Sequence, residues 1–168
     1  NKNYSACLQT SQLLLKYDSH NPQNLYLRAE SSKLTGNLQE ALTYVNFYLD
    51  CFPDDESAVY LKVQVLYESQ DYRNALIELN KLIDLNSSKK EYFILRGETY
   101  FLLESWKLAA DDYSMALDIY PFLPDVWYKI GVCQHNQNNS EKACHAWKKA
   151  AGMKNRQAAE MLFKYCAE

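Results

Sequence analysis

The side chains in this 168-residue sequence that could bind a metal are five cysteines and three histidines, and several lie close together near the C-terminus. Cys133, Cys144 and Cys166 alternate there with His135 and His145. Zinc sites in small domains use ligand pairs such as C-x₂-C or H-x₃-H, and neither spacing occurs in this sequence. We therefore expect no metal site, because single buried cysteines usually serve as small apolar side chains.

Catalytic signatures are also missing from the sequence. It contains no glycine-rich phosphate loop, no G-x-S-x-G nucleophile motif and no H-E-x-x-H metal motif. The acidic pair Asp54-Asp55 follows Pro53, where carboxylates favour the positively polarised start of a helix. The sequence therefore predicts a protein that is not an enzyme and that uses no cofactor.

The composition restricts the remaining classes of protein. Glycine and proline number four each, too few for a turn-rich β-sandwich or barrel, and 14% aromatic residues exceed what a disordered chain carries. No apolar run approaches the ~18 residues of a membrane span. The net charge of −3 argues against binding to a nucleic-acid backbone. We expect a helical protein that binds no nucleic acid, does not insert into a membrane, and has a cut or processed end at Asn1.

The strongest pattern in the sequence is an internal repeat of 34 residues. One series at this interval is small, and consists of Ala41, Ala75, Ala109 and Ala143. A second series is bulky and apolar, and consists of Leu25, Val59, Phe93, Trp127 and Met161. Within each copy the apolar spacing is helical and is interrupted once, which predicts two amphipathic helices joined by a tight turn. The turn residues are Gly36, Gln70, Glu104 and Asn138.

These copies resemble the tetratricopeptide repeat (TPR), whose pattern W-x₂-L-G-x₂-Y…A-x₃-F…P has the same length. The third copy matches with Phe93, Gly97, Tyr100, Ala109, Tyr113 and Pro121, and the fourth with Trp127, Gly131, Ala143 and Trp147. The resemblance implies an all-α fold, a right-handed TPR superhelix (α-solenoid) of antiparallel helix pairs. The predicted parts of this single domain, 1–168, are the second helix of a partial repeat at 1–21, full repeats at 22–55, 56–89, 90–123 and 124–157, and a C-terminal capping helix at 158–168.

The copies depart from the TPR pattern at its first leucine. The first three copies have cations at this position, namely Arg28, Lys62 and Arg96, and sixteen residues later stand Tyr44, Glu78 and Asp112. The fourth copy has apolar Ile130 and Ala146 at both positions, so the cation and its acid appear and vanish together. This pattern predicts ion pairs between the helices of a copy, with Arg28 stacked on the Tyr44 ring. The alternative is that the cations are unpaired, with buried stems and solvated heads.

In TPR proteins the first helix of each pair lines a concave groove, so the resemblance also implies where a ligand binds. The groove residues predicted in this way are Tyr26, Glu30, Lys33, Tyr60, Gln64, Tyr67, Ile94, Glu98, Phe101, Tyr128, Val132 and His135. Aromatic anchors with a few acids suit an extended or helical peptide that has apolar and basic side chains. The alternative is that the tyrosines merely cover neighbouring helices.

One class of ligand is argued against by the same resemblance. Co-chaperone TPR domains hold a terminal carboxylate with lysines, an arginine and asparagines at set positions of the groove. The corresponding residues in this sequence are Tyr26, Glu30, Leu61, Glu91 and Leu95. We therefore expect that no C-terminal carboxylate of a chaperone is bound.

The resemblance brings two cysteines near each other at the C-terminal end. Cys144 opens the second helix of the last full copy, and Cys166 lies on the helix expected to stack against it. A disulfide between them is predicted if the compartment is oxidising. The stretch 143–166 also resembles the ends of some bacterial TPR proteins, several of them from the cell envelope, which favours a periplasmic location.

The predicted function is a non-catalytic scaffold that binds a peptide or protein segment in the aromatic and acidic groove. The alternative is a structural or self-assembly module. The half repeat at 1–21 has apolar residues, including Leu8, Leu13 and Leu14, that no preceding helix covers. An upstream helix, a second domain of a larger chain or a homodimer contact is expected to cover them.

Overall fold

The computed structural model describes residues 22–166, and within them nine α-helices follow one another without a strand. The predicted half repeat over 1–21 lies outside the described residues. The chain divides into two compact units between Leu85 and Asn86, and each unit is described by itself.

The first unit contains two helix pairs. Helix α1 (Pro22–Leu34) packs on α2 (Leu38–Cys51), and α3 (Glu56–Glu68) packs on α4 (Tyr72–Leu85). Helix α2 also packs on α3, so that the two pairs are stacked. Stacking buries the apolar face that one short pair leaves uncovered.

The second unit contains two further pairs and a last single helix. Its helices are α5 (Lys90–Leu102), α6 (Trp106–Ile119), α7 (Pro124–Asn136), α8 (Ser140–Gly152) and α9 (Arg156–Tyr165). Helix α5 packs on α6, α7 packs on α8, α6 on α7, and α9 on α8. In both units the first helices of the pairs begin at 22, 56, 90 and 124, and the second helices at 38, 72, 106 and 140. This spacing of 34 residues confirms the predicted all-α fold of repeated helix pairs.

Small residues bring the helices of a pair close together. The alanines of the small series, Ala41, Ala75, Ala109 and Ala143, are completely buried. In the second unit Gly97 and Gly131 lie directly under large rings. A Cβ on Gly131 would be 2.2 Å from Nε1 of Trp147, and one on Gly97 would be 2.8 Å from a ring carbon of Tyr113. Both rings are fully buried, so the glycines provide the space that the aromatic residues of the pattern occupy.

The turn inside each pair has a residue in the left-handed region of backbone conformation. These residues are Gly36, Gln70, Glu104 and Asn138, with φ values of 80°, 61°, 55° and 61°. The left-handed residue lets the chain return and satisfy the last helical carbonyls. For example, the backbone N–H of Gly36 donates to Lys33 O at 2.9 Å, and that of Asn37 donates to Ser32 O at 2.8 Å.

The last connection of the chain uses the same kind of turn in an unexpected place. Lys154 has a φ of 68°. Only three residues separate α8 from α9, whereas four separate α2 from α3 and α6 from α7, the other connections between one pair and the next within a unit. The side chain of Asn155 then caps α9, accepting a hydrogen bond from Ala158 N at 2.8 Å. As a result α9 begins at Arg156, two residues before the predicted boundary at 158.

The predicted interactions between the helices of a pair are confirmed. Arg96 donates two hydrogen bonds to the carboxylate of Asp112, at 2.8 Å from Nε and 2.6 Å from Nη2. Lys62 Nζ lies 2.7 Å from Glu78 Oε1. In the first copy, the guanidinium of Arg28 lies 5.7 Å from the centre of the Tyr44 ring. In the fourth copy, Ile130 and Ala146 are buried in the apolar core of the second unit.

The turn geometry makes two glycines respond oppositely to alanine. Gly36→Ala is expected to destabilise the protein by about 1 kcal/mol, because alanine resists positive φ. Gly152→Ala is expected to stabilise it by about 0.5 kcal/mol, because Gly152 ends helix α8. A Cβ meets no atom within 4 Å at either site, so sterics do not confuse the comparison. Urea unfolding of both variants gives the two signs, and destabilisation by both would contradict the turn assignment.

The Arg96–Asp112 pair predicts a non-additive effect of substitution. Asp112 is only 4% exposed, so Arg96→Ile is expected to destabilise by about 3 kcal/mol because it leaves a buried carboxylate without its main partner. Arg96→Ile with Asp112→Ala reproduces the residues of the fourth copy and is expected to recover part of this loss. A double-mutant cycle by urea unfolding measures the coupling. Equal stability of the single and double variants would show that the pair does not act as inferred.

Candidate functional site

Five of the predicted groove residues line one open groove in the second unit, with a volume of about 790 Å³. They are Ile94, Glu98 and Phe101 from α5 and Tyr128 and Val132 from α7. The other lining residues are Leu123, Asp125, Val126, Lys129 and Gln157. We call this site the α5–α7 groove.

The helical spacing explains why these side chains share a groove. Ile94, Glu98 and Phe101 stand at i, i+4 and i+7 and therefore occupy one face of α5. Asp125, Tyr128 and Val132 have the corresponding spacing of i, i+3 and i+7 on α7. The neighbouring faces of both helices are buried in the packing of the pairs. The groove is thus formed by positions that the packing of a single pair leaves free.

Two polar contacts cross the groove region and link its helices. Lys129 of α7 forms an ion pair and hydrogen bond with Glu98 of α5. Asp125 Oδ1, at the start of α7, accepts a hydrogen bond from Asn155 Nδ2 at 2.8 Å. The groove therefore contains two carboxylates and one ammonium group, and its formal charge is negative.

A ring contact positions the side chain of Phe101, and a hydrogen bond holds the backbone of Tyr128. Phe101 packs edge-on against Trp106, with ring centres 5.1 Å apart. The backbone carbonyl of Tyr128 accepts a hydrogen bond from the indole N–H of Trp147 at 3.2 Å. Both Phe101 and Tyr128 remain half-buried. They can therefore contact a ligand while their backbones are held by the repeat.

Three polar groove residues were not predicted from the sequence. Lys129 and Asp125 come from positions of α7 adjacent to the predicted ones, and Gln157 comes from the last helix. A signal for Lys129 exists, because Glu98 and Lys129 are 31 residues apart, as are Lys33 and Gln64, which are also in contact. Gln157 has no such signal, because its place depends on the short turn at Lys154.

In the first unit, Tyr26 lines a smaller pocket of about 310 Å³ together with Gln23, Leu27, Tyr48, Asp55 and Ser57. The rings of Tyr26 and Tyr48 lie 5.6 Å apart, and the hydroxyl of Tyr48 donates to Asp55 Oδ2 at 2.9 Å. Burial and the carboxylate of Glu30 raise the pKa of Tyr26. Burial and the hydrogen bond with Asp55 raise the pKa of Tyr48. Both phenols are therefore neutral hydrogen-bonding groups at neutral pH.

The other predicted residues of the first unit lie on α1 and α3. Lys33 Nζ donates to Gln64 Oε1 at 2.8 Å and lies 3.6 Å from Glu68 Oε1, which joins the two helices. The ring of Tyr67 packs against Tyr72, with centres 5.6 Å apart. Tyr60 and Glu30 are half-buried on the same two helices. For Tyr67, the contact agrees with the alternative that some tyrosines cover neighbouring helices.

His135 lies in an aromatic stack at the C-terminal end of the second unit. Its ring centre is 4.5 Å from that of Tyr165 and 5.7 Å from that of Trp147. The stack joins α7 to α8 and α9. His135 thus takes part in packing the last helix and is not among the residues that line the α5–α7 groove.

The cysteines mainly link or fill the helical framework. A disulfide joins Cys144 of α8 to Cys166 just after α9, with Cα atoms 5.8 Å apart, and Cys51 is also disulfide-bonded. Cys133 is a buried free thiol, and burial raises its pKa to about 12, so it stays protonated. Between residues 22 and 166, no cluster of three or more His, Cys, Asp or Glu side chains is arranged to hold a metal ion. No helix in that range combines the length and apolar character needed to cross a membrane.

Comparison with known proteins agrees with the fold. Family profiles described as tetratricopeptide repeat match residues 60–124 and 125–152. A crystal structure of MamA aligns with a TM-score of 0.76 at 18% identity, covering 88% of this chain and 86% of that one. MamA 41-end from Desulfovibrio magneticus RS-1 aligns at 0.75 and 18% identity, covering 92% and 96%, and MamA AMB-1 at 0.76 and 20%, covering 94% and 92%. At these identities the likeness shows the fold alone. No curated protein sequence gives a significant match.

The disulfide predicts a local effect on the last helix. The disulfide joins residues 22 apart in sequence, and closing a loop of this size stabilises the folded protein by about 3 kcal/mol. Cys144→Ser with Cys166→Ser is therefore expected to increase amide hydrogen exchange in α9 by up to about 100-fold. Exchange in α5 and α6 should change little, which serves as an internal control. Wild-type protein treated with reductant should show the same pattern, and unchanged exchange in α9 would contradict the inferred role.

Proposed function

Because the chain belongs to the tetratricopeptide-repeat family, we propose that it is a non-catalytic scaffold that binds a segment of another protein in the α5–α7 groove. TPR folds of this kind are in general protein-interaction modules. The observation that carries the finer proposal is the groove itself. One continuous surface there combines apolar, aromatic and acidic side chains from successive helix pairs.

The apolar lining of the groove supports a peptide segment with apolar side chains as the ligand. The groove is open and has a volume of about 790 Å³. Ile94 and Val132 provide aliphatic contact area, and Phe101 and Tyr128 provide aromatic contact area. Such a surface suits a ligand with one or two apolar anchor side chains, because anchors in partly enclosed pockets dominate binding energy.

The charge of the groove supports a basic residue beside the apolar anchor. Glu98 and Asp125 contribute two carboxylates, and Lys129 contributes one ammonium group. A lysine or arginine of the ligand near Asp125 would be attracted by this excess of negative charge. An acidic ligand would be repelled by the same groups.

The existing contacts also reduce the cost of binding. Lys129 and Glu98 are already paired, Asp125 is bonded to Asn155, and Phe101 is packed against Trp106. Side chains that are ordered before binding lose less conformational entropy when the ligand arrives. These side chains of the groove are therefore preorganised for binding.

The remaining predicted residues are proposed separately, as ligand contacts of the unit to which each belongs. They are Tyr26, Glu30, Lys33, Tyr60, Gln64, Tyr67 and His135. Their half-buried side chains leave surface for a ligand, but the contacts of Tyr67 and His135 are with neighbouring helices. The test below therefore uses residues of the α5–α7 groove.

The proposal predicts the effect of one groove substitution on selected peptides. A displayed random-peptide library is enriched on the wild-type protein, and Kd values of the selected peptides are measured by fluorescence anisotropy. Ile94→Asn is expected to weaken them at least tenfold, because it places a polar amide where the anchor binds. Ile77→Asn is the matched control, since Ile77 is a 63% exposed isoleucine on α4 of the first unit.

A second substitution tests the predicted charge preference. Asp125→Asn is expected to weaken peptides that contain lysine or arginine several-fold and to reduce the salt dependence of their Kd. Asp84→Asn, at an exposed position of α4, is its control. Selected peptides that bind the wild type, Ile94→Asn and Asp125→Asn equally would show that the groove is not the binding site.

A further inference from the structure

Exposed apolar side chains are concentrated in one part of the second unit. Among the described residues, fourteen large apolar side chains are exposed, and seven of them lie between Leu102 and Phe122. This segment is only about a seventh of the described chain. Single exposed apolar residues are normal on proteins, whereas a concentration of them marks an interaction surface.

Helix α6 arranges several of these residues on one face. Leu108, Met115 and Ile119 are 47%, 48% and 40% exposed and stand at i, i+7 and i+11, which is one side of a helix. Phe122, 69% exposed, follows the end of the helix. We call these four residues the α6 stripe. The opposite side of α6, which includes Ala110 and Leu117, is buried, and Asp112, between Leu108 and Met115, is buried in its ion pair with Arg96.

Comparison of the copies shows that the repeat does not require an apolar stripe at these positions. One copy earlier the same positions hold Asn74, Lys81, Leu85 and Ser88. One copy later they hold Lys142, Lys149, Met153 and Arg156. The polar residues of these two copies are compatible with the same second helix of the pair. Apolar residues at the positions of Leu108, Met115 and Phe122 together are therefore particular to α6, whereas the position of Ile119 is also apolar in these two copies, as Leu85 and Met153.

Acidic residues are interleaved with the α6 stripe. Asp111 stands three residues after Leu108, and Asp118 stands three residues after Met115; both are exposed. The cations near this region are Lys107 at the start of α6, Lys90, whose Nζ lies 5.5 Å from the centre of the Tyr120 ring beyond its end, and Arg96, which is bonded to Asp112 between Leu108 and Met115. The exposed carboxylates of Asp111 and Asp118 thus border the stripe, and the cation at its middle, Arg96, is already paired with Asp112.

We propose that the α6 stripe binds an amphipathic helix of a partner protein whose apolar face is flanked by lysine or arginine residues. The apolar residues of the stripe recur at helical spacing along α6, whose 14 residues span about 21 Å. A partner helix of similar length can therefore lie along them. The carboxylates of Asp111 and Asp118 attract a basic partner and repel an acidic one. The α5–α7 groove contains no residue of α6, so the two surfaces are different and this proposal does not rest on the groove.

The experiment uses a synthetic 18-residue helix of leucine and lysine, with leucines on one face, as the probe. A peptide of the same pattern with glutamate in place of lysine is its counterpart. Binding of both labelled peptides to the 168-residue chain is measured by fluorescence anisotropy. The lysine peptide is expected to bind at least tenfold more tightly than the glutamate peptide.

Two pairs of variants locate the site of binding. Leu108→Gln with Met115→Gln is expected to weaken the lysine peptide at least tenfold, and Leu34→Gln with Ile77→Gln, at exposed positions of the first unit, less than twofold. Asp111→Asn with Asp118→Asn is expected to weaken it several-fold and flatten its salt dependence, unlike Asp84→Asn with Glu141→Gln. A photoreactive leucine in the peptide should cross-link to the fragment that contains residues 107–122, which tests the site in unmodified protein.

Three results would overturn the proposal. One is equal binding of the lysine peptide to the stripe variant and to its control, which would indicate general attraction to an acidic protein. Another is equal binding of the glutamate peptide. The third is a concentration-dependent dimer of the wild type, seen by sedimentation and lost in Leu108→Gln with Met115→Gln, which would show that a second copy of this chain occupies the stripe.

Discussion

A pair of helices of 13 or 14 residues cannot bury its apolar face by itself, and this constraint governs the structure. The helices of a pair must approach closely, which requires the fully buried alanines, and they must stack on the next pair, which requires large side chains beside those alanines. Where a ring is as large as Tyr113 or Trp147, only glycine leaves enough room beneath it. The 34-residue repeat in the sequence follows from this packing requirement.

The same constraint explains how much of the fold was predictable. Burial in repeated pairs imposes periodic apolar positions, so the helices, their turns and the all-α class could be read from spacing. The Arg96–Asp112 and Lys62–Glu78 pairs were predictable because the fourth copy changes both positions together. The turn at Lys154 was not predictable from the repeat, because the corresponding residue of the preceding copy, Tyr120, has an extended φ of −143°. The start of α9 was therefore placed two residues too late.

The groove was less predictable than the fold, because periodicity gives the face of a helix and not its neighbour. The face that holds Ile94, Glu98 and Phe101 was identified, but its partner Lys129 required knowledge of how α7 lies against α5. Tyr67 and His135 occupy equivalent positions, yet their rings pack on Tyr72 and on Tyr165. Whether an aromatic residue at such a position packs or binds depends on a ring in another helix, which is a tertiary property.

Differences between copies separate the requirements of the fold from other roles. All copies bury the small positions and bury or partly bury the bulky ones, so a residue type shared by all of them is explained by packing. A position that varies among the copies without disturbing the helix is free of that requirement. Copies two and four show that Leu108 and Met115 could be polar, since asparagine and lysine stand there at the same register. Exposed apolar area lowers solubility, and the packing of the repeat does not require it at Leu108 or Met115. The exposed Leu108 and Met115 therefore support the proposal that the α6 stripe binds a partner.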